Sequence, residues 1–241
     1  MTGARLGIVG GLGPLAGAHF YRRLIELTPA EVDEDHLAVV LISQPSIPSR
    51  RKFLADQGPS PAPALQQVVR ELESLGCDLI AIPSSTTHAF YDDMAAAVHT
   101  PILHLLAEVA AALRSAGAHR PAMLATQATI DTGIYQPHFR PDLRPLYPPP
   151  TVQNKIEALI NAVKRGDDVK PLSAEISNVV SGPWTTPADS VLLACTETPL
   201  ITPTTCSLPI FSATDILARA VLKRLRPEHS PATQCSYGWW T

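Results

Sequence analysis

Short apolar runs alternate along the chain with longer segments of helical periodicity. Mostly apolar residues fill the runs at 6–10, 36–43, 77–83, 121–125 and 190–194. Apolar residues spaced three or four positions apart recur in the longer segments 15–27, 64–75 and 152–164. Strands that are apolar on both faces and separated by helices are typical of parallel sheets covered on both sides. The pattern therefore predicts an α/β fold.

The two halves of the chain carry corresponding strands and loops. The strand and loop at residues 6–13 match those at 122–129, and residues 80–86 match 191–197, at offsets of about 116 and 111 residues. Similar offsets indicate a duplicated α/β unit. We expect two similar lobes with mainly parallel sheets, related by a pseudo-twofold axis. Because open parallel sheets bind ligands at the carboxyl ends of their strands, a site is expected in the cleft between the lobes.

The expected lobes are not continuous in sequence. We expect residues 1–100 and 211–230 to form the first α/β lobe, and residues 101–210 to form the second. The Pro-rich segment 140–151 is expected to be a surface connection inside the second lobe. The tail 231–241, which holds two of the three tryptophans, lies outside both lobes in this scheme.

Composition and charge narrow the class of protein. The 241 residues are 45% hydrophobic and 17% charged, with a net charge of −3, which is typical of a globular protein. Scattered Lys and Arg residues form no basic stripe, so a nucleic-acid partner is not expected. The apolar run 98–113 is interrupted by His99, Pro101, His104 and Glu108, and no N-terminal signal segment is evident. These features predict a cytoplasmic protein with no membrane partner.

Four cysteines lie far apart in sequence, at Cys77, Cys195, Cys206 and Cys235. Their spacing matches neither a CxxC pair nor a metal-ligand set, so we expect free thiols and no metal. Most free cysteines are small core residues. Cys195 differs, because it directly follows an apolar strand and is flanked by hydroxyl and carboxylate side chains. It is therefore the candidate reactive thiol.

Loops that follow the apolar runs resemble the signatures of one enzyme family. In chain order, the matching segments are GIVGGLGPLAGAHFYRR at 7–23, QPSIPSR at 44–50, IPSSTTH at 82–88, LATQAT at 124–129, LLACTETPL at 192–200 and LPIFSAT at 208–214. Together they resemble the aspartate/glutamate racemase superfamily, and aspartate racemase in particular, over residues 5–224. The resemblance implies a two-lobed homodimer that acts on a small-molecule amino acid or related carboxylate without pyridoxal phosphate or metal.

The resemblance also assigns site residues, with one notable departure. Cys195 matches the second catalytic cysteine, whereas Ser84 stands where the family has its first catalytic cysteine, so these two are the expected catalytic pair. Ser49 and Ser212 replace two aspartates of the family pattern. Substrate-binding roles are implied for Gly11, Leu12, Gln44, Arg50, Ser85, Thr86, Thr126, Thr129, Thr196 and Glu197.

Two cationic features bear on the substrate. Arg50 is the expected carboxylate contact, because a guanidinium forms a planar bidentate pair with a carboxylate. A lysine that reaches a second, distal carboxylate is also expected. Lys155 and Lys164 both lie in the predicted helix 152–164, and the sequence does not distinguish between them.

Loss of one thiol leaves three functions open. Racemisation removes the α-proton from one face and returns a proton to the other, and thiols suit both roles because local charge can bring their pKa near the working pH. A serine alkoxide is far too basic to form unaided, and His88 is the one base evident nearby. We expect a racemase that favours the L enantiomer, on which the second-motif cysteine acts in this family. The alternatives are a one-thiol lyase or decarboxylase, and a non-catalytic carboxylate-binding protein.

Overall fold

The computed structural model describes residues 3–226, which contain two three-stranded parallel sheets. The first has the order β2-β1-β3, formed by β1 (Arg5–Gly10), β2 (Ala38–Ser43) and β3 (Leu79–Ala81). The second has the order β4-β5-β6, formed by β4 (Pro121–Leu124), β5 (Ser190–Leu193) and β6 (Ile210–Ser212). Every pair is parallel, which confirms the α/β class. The expected tail, 231–241, lies outside the described residues.

In each sheet, one residue outside the named strands pairs with an edge strand and adds a fourth position. Ile102 pairs in parallel with Ile80 beside β3, and Leu146 pairs in parallel with Ala122 beside β4. We number the strands of each half by their order in the sequence and count the bridging residue as a strand. Both sheets then have the same spatial order, second-first-third-fourth. This agrees with the expected duplication. The Pro-rich segment around Leu146 is thus part of the sheet edge, where proline is tolerated, and not only a surface connection.

Helices connect these strands in both halves. Their bounds are α1 (Pro14–Leu27), α2 (Arg50–Leu54), α3 (Ala62–Ser74), α4 (Tyr91–Ala95), α5 (Leu105–Ser115), α6 (Gln127–Asp131), α7 (Gln136–Phe139), α8 (Pro150–Arg165), α9 (Val169–Val180) and α10 (Ala213–Leu225). Short 3-10 helices at Thr86–Phe90 and Thr198–Ile201 follow β3 and β5. Among residues 3–226, no helix is long and apolar enough to cross a membrane.

Three apolar cores explain why the strands carry continuous apolar runs. Successive side chains of a strand point to opposite faces, so each strand packs against two cores. In β5, Leu192 lies in a central core that also takes Leu6 and Ile8 of β1, while Val191 and Leu193 lie in a core confined to the second half. A third core lies on the outer face of the first sheet. The central core therefore joins the inner faces of both sheets.

Helices α5 and α10 link the halves through this central core. Although α10 follows β6 of the second sheet, it packs on α1 and α5 and contacts β3 of the first half. The lobe boundary expected before residue 211 assigns α10 to the first lobe, whereas Phe211 pairs with Leu192 of the second sheet. Likewise, Ile102 pairs with the first sheet, although residues 101–210 were assigned to the second lobe. The boundaries at these strands stay a proposal.

Candidate active site

A cavity of about 350 Å³ lies where the carboxyl-end loops of both sheets meet. Its walls contain eleven of the twelve site residues expected from sequence, namely Gly11, Leu12, Arg50, Ser84, Ser85, Thr86, Thr126, Thr129, Cys195, Thr196 and Glu197. Residues from both halves contribute, with Ser84 following β3 and Cys195 following β5. The structure therefore brings the two expected catalytic residues into one cavity from different halves of the chain.

Gln44 is the expected site residue that does not line this cavity. Its side chain is exposed, and Nε2 donates a hydrogen bond to Ser46 Oγ at 3.0 Å. Gly11 has a φ of +83°, and a Cβ there would lie 2.4 Å from the Gln44 backbone nitrogen. The Gln44 main chain thus packs against the glycine turn, and glycine is required at position 11 by both conformation and space.

The Arg50 guanidinium is held in the cavity wall by backbone carbonyls. Nη2 donates to Leu12 O at 2.8 Å, and Nη1 donates to Pro48 O at 3.2 Å. Burial lowers the pKa of Arg50, although arginine stays cationic at any physiological pH. Among the described residues, no carboxylate forms a salt bridge with Arg50. Its positive charge is thus available to an anionic ligand.

The loop that carries Ser84 is held by the ring of His88. Nδ1 of His88 lies 2.9 Å from Ser84 O, and Nε2 accepts a hydrogen bond from Leu105 N at 3.1 Å. Because a carbonyl only accepts, Nδ1 carries the proton, and both ring nitrogens are occupied. Burial lowers the pKa of His88 to about 4. His88 therefore holds the backbone of Ser84 and is not placed to act as a base for its hydroxyl.

The Ser84 hydroxyl contacts another hydroxyl and not a base. Ser84 Oγ lies 2.8 Å from Thr87 Oγ1, and both side chains are buried. Among residues 3–226, no side chain in hydrogen-bond contact with the Ser84 hydroxyl could hold its proton at neutral pH. Ser84 can relay a proton between neighbours, but it cannot become an alkoxide unaided.

Threonine hydroxyls form a chain across the two halves. Thr86 Oγ1 of the first half lies 2.9 Å from Thr129 Oγ1 of the second, which in turn lies 3.0 Å from Thr126 Oγ1. Thr126 also caps the N-terminus of α6, accepting from Thr129 N at 3.3 Å. The sequence predicted a loop here, and the short helix forms because Thr126 is a good N-cap. These hydroxyls supply hydrogen-bond donors to the cavity.

Cys195 lies against a buried carboxylate. Its Sγ donates a hydrogen bond to Glu197 Oε2 at 3.0 Å, and Glu197 Oε1 lies 3.8 Å from Lys164 Nζ. Both Cys195 and Glu197 are buried, with 6% and 4% of their surface exposed. The backbone carbonyl of Cys195 accepts from Thr198 N and Thr198 Oγ1, at 3.1 and 2.6 Å. The thiol is thus fixed by a turn of the chain and by one acidic partner.

This environment keeps the Cys195 thiol protonated in the free site. Burial raises its pKa well above the usual value, the charge of Glu197 raises it further, and Lys164 opposes both. An activated thiolate was expected from the sequence, since thiols in such sites often titrate near neutral pH. The difference arises because the thiol is buried and because its hydrogen-bond partner, Glu197, is negatively charged. Cys195 in this state is a proton donor.

Lys164 is the lysine that lines the cavity, whereas Lys155 is exposed elsewhere on α8. Periodicity could not distinguish them, because both lie next to buried residues of the same helix. The structure distinguishes the two lysines, because Lys164 forms an ion pair with Glu197 in the cavity wall. Ser49, where the family pattern has Asp, caps α2 and lines the cavity, whereas Ser212 caps α10 away from it.

The fold and cavity define a class: two similar α/β halves around a polar cavity, which Ser84 of one half and Cys195 of the other both line. The model of the Asp/Glu/Hydantoin racemase family matches residues 9–221, and the chain belongs to that family. Similar proteins include an amino-acid racemase and an aspartate racemase, and racemases are a class of isomerase.

Relatives match this chain over most of its length, in sequence or in structure. The broad specificity amino-acid racemase RacX of Bacillus subtilis (strain 168) is 24% identical over 226 residues, which cover 90% of this chain and 96% of RacX. The structure of Picrophilus torridus aspartate racemase superposes with a TM-score of 0.84 at 31% identity, covering 94% of this chain and 98% of that one. An aspartate racemase homologue from Pyrococcus horikoshii OT3 has a TM-score of 0.74 at 20% identity, covering 93% and 99%.

The contact between Cys195 and Glu197 predicts how the thiol titrates. Glu197→Gln removes the negative charge, so the pKa of Cys195 should fall and its alkylation by iodoacetamide at pH 8 should accelerate, by about tenfold for each unit of pKa. Mass spectrometry of the peptide that contains Cys195 measures the rate. Glu157→Gln is the matched control, because that carboxylate binds Arg51 and Gln127 instead. Equal rates for Glu197→Gln and the unmodified protein would contradict the assigned contact.

Proposed function

We propose that this chain is a cofactor-independent racemase of acidic amino acids in which Cys195 is the sole proton-transfer thiol. The observation that carries the proposal is the shared cavity, in which Cys195 from one half and Ser84 from the other are accessible to one ligand. Racemisation needs proton transfer on two faces of one carbon, which requires groups from two sides. The named racemases among the relatives support an amino acid as the substrate.

The charges of the cavity support an acidic amino acid. Arg50 and Lys164 bring two positive charges, and Glu197 brings one negative charge. Arg51, a further cation in the wall, is paired with Glu157. An amino acid with two carboxylates and one ammonium group complements this set, whereas a neutral amino acid leaves one cation without a partner.

The proposed reaction from the L side begins with the thiol proton. Sγ–H of Cys195 gives its proton to Oε2 of Glu197. The transfer is favoured because two positive charges, Lys164 and the ammonium group of the substrate, stabilise the thiolate. The thiolate then takes the α-proton, and the electron pair of the C–H bond stays on the α-carbon and its carboxylate. Arg50 and the threonine hydroxyls stabilise that charge. A proton from solvent, relayed through the Ser84 hydroxyl, reaches the opposite face, and Glu197 returns its proton to solvent, which restores the starting state of the site.

A second candidate, a one-thiol lyase or decarboxylase, is favoured by the resting state of the thiol. Loss of carbon dioxide itself forms the carbanion, so such a reaction needs one proton donor and no base. Cys195 is held protonated, and the hydrogen-bond partner of the Ser84 hydroxyl is another hydroxyl, that of Thr87, and not a base. This reaction would use the same residues without the proton abstraction that a racemase requires.

Assays with the intact protein separate these functions. We expect L-aspartate or L-glutamate to lose optical purity, and Cys195→Ala to abolish this by several orders of magnitude while remaining folded. Cys206→Ala, outside the cavity, is the control and should retain activity. Carbon dioxide release from an arylmalonate without racemisation would instead support the lyase. Thermal stabilisation by these ligands without any turnover would support a binding protein. A folded Cys195→Ala variant with more than about a tenth of the original rate would refute the role of the thiol.

The preference for acidic substrates is expected to depend on Lys164. Lys164→Met removes one charged partner of the second carboxylate, so KM for L-aspartate or L-glutamate should rise roughly ten- to hundredfold. The KM for a neutral amino acid should change much less. Lys155→Met on the exposed face of the same helix is the matched control. Equal changes for acidic and neutral substrates would remove Lys164 from substrate selection.

A further inference from the structure

A buried tyrosine hydroxyl lies beside both catalytic loops and has no part in the proton transfers proposed above. Tyr135 precedes α7, is only 1% exposed and belongs to the central core, where its ring packs on Phe139 with centroids 5.1 Å apart. Its hydroxyl lies 3.1 Å from Ser85 Oγ. Burial raises the pKa of Tyr135, so the phenol keeps its proton at physiological pH.

The direction of each hydrogen bond here follows from the groups involved. Ser85 Oγ lies 2.6 Å from the backbone carbonyl of Ala194, and a carbonyl can only accept. The single hydroxyl hydrogen of Ser85 is therefore directed at Ala194. The hydrogen bond between the two hydroxyls must then be donated by Tyr135. The chain runs from Tyr135 to Ser85 to Ala194.

This chain leaves Ser85 poorly suited to bind a carboxylate. A hydroxyl has one donor and two acceptor sites, and the donor and one acceptor are already used. What remains is a lone pair, which repels an anion. Ser85 was expected from sequence to be a substrate contact, and it would have to release Ala194 to donate to a substrate carboxylate.

The hydrogen bond from Ser85 to Ala194 connects the chain neighbours of the two expected catalytic residues. Ser85 is the neighbour of Ser84 in the chain, and Ala194 is the neighbour of Cys195. The amide of Ala194 donates to Leu124 O at 2.9 Å, and the amide of Cys195 donates to the same carbonyl at 3.1 Å. The hydrogen bond from Ser85 is thus the contact by which the first half fixes the backbone next to the thiol.

We propose that Tyr135 and Ser85 form a positioning pair that sets the spacing between Ser84 and Cys195. Tyr135 directs the Ser85 hydroxyl toward Ala194, and Ser85 joins the two catalytic loops across the halves. This role rests on the proposed proton transfers to and from the substrate at those two positions. Spacing matters there because a misplacement of about 1 Å can lower the rate about a hundredfold.

A double-mutant cycle with steady-state kinetics tests the pair. Tyr135→Phe and Ser85→Ala should each lower kcat about ten- to hundredfold with KM nearly unchanged, because they alter geometry and not substrate contacts. The double variant should lose no more than Ser85→Ala alone, since the two hydroxyls act in series. Ser85→Thr, which keeps the hydroxyl, should restore most of kcat. Tyr21→Phe, an exposed tyrosine on α1, is the control.

A second readout does not depend on turnover. If the Ala194 carbonyl is released, the loop of Cys195 should open more often, and iodoacetamide should modify that thiol about threefold faster or more in both single variants. This measurement keeps its meaning if no amino acid is racemised, in which case the proposed function fails and the positioning pair can still be judged. A raised KM with unchanged kcat in Ser85→Ala would make Ser85 a substrate contact. Additive losses, or unchanged alkylation in folded variants, would equally overturn the pair.

Discussion

The central core is the constraint on which the rest of the molecule depends. Both sheets bury their inner faces against it, with Leu6 and Ile8 from one sheet and Leu192 from the other. Because all the strands in each sheet are parallel, their carboxyl-end loops gather at one edge, and the core holds those two edges together. Two hydrogen bonds between the halves then fix the loops to each other. One runs from the Ser85 hydroxyl to the Ala194 carbonyl, and the other joins the hydroxyls of Thr86 and Thr129. A cavity lined by Ser84 from one half and Cys195 from the other follows from this packing.

The electrostatics of the site make its two walls differ in how they can hold or transfer a proton. On one wall, burial and the charge of Glu197 hold the proton on Cys195 by raising its pKa, and Lys164 opposes them. On the other wall, Ser84 has only Thr87 as a hydroxyl partner, and the ring of His88 is occupied by backbone groups. Burial lowers the pKa of His88 to about 4, so its ring is uncharged at neutral pH. The asymmetry expected from the Cys-to-Ser replacement thus extends to the surroundings of both residues.

Much of this arrangement could be predicted from the sequence, because continuous apolar strands and loop motifs are local signals. The motifs located the carboxyl-end loops, and eleven expected residues share the cavity. Contacts between residues far apart in the chain could not be predicted from the sequence. Gln44 lies outside because its backbone packs against the turn at Gly11, and the pairing of Leu146 required knowledge of the neighbouring strand. The roles of His88 and Tyr135 depend on distant partners, Leu105 and Ser85, that no local pattern indicates.

The central claim is that proton transfer in this site is one-sided, and exchange of the α-proton with deuterated water tests it most directly. L-aspartate, which should face Cys195, is expected to exchange about tenfold or more faster than D-aspartate when each is followed by proton NMR before racemisation is complete. Ser84→Cys should accelerate the slower enantiomer most, because it supplies the acid and base missing from that face. The final ratio of enantiomers must stay at unity in every case. Equal exchange of both enantiomers in the unmodified protein, or none before and after Ser84→Cys, would contradict the account.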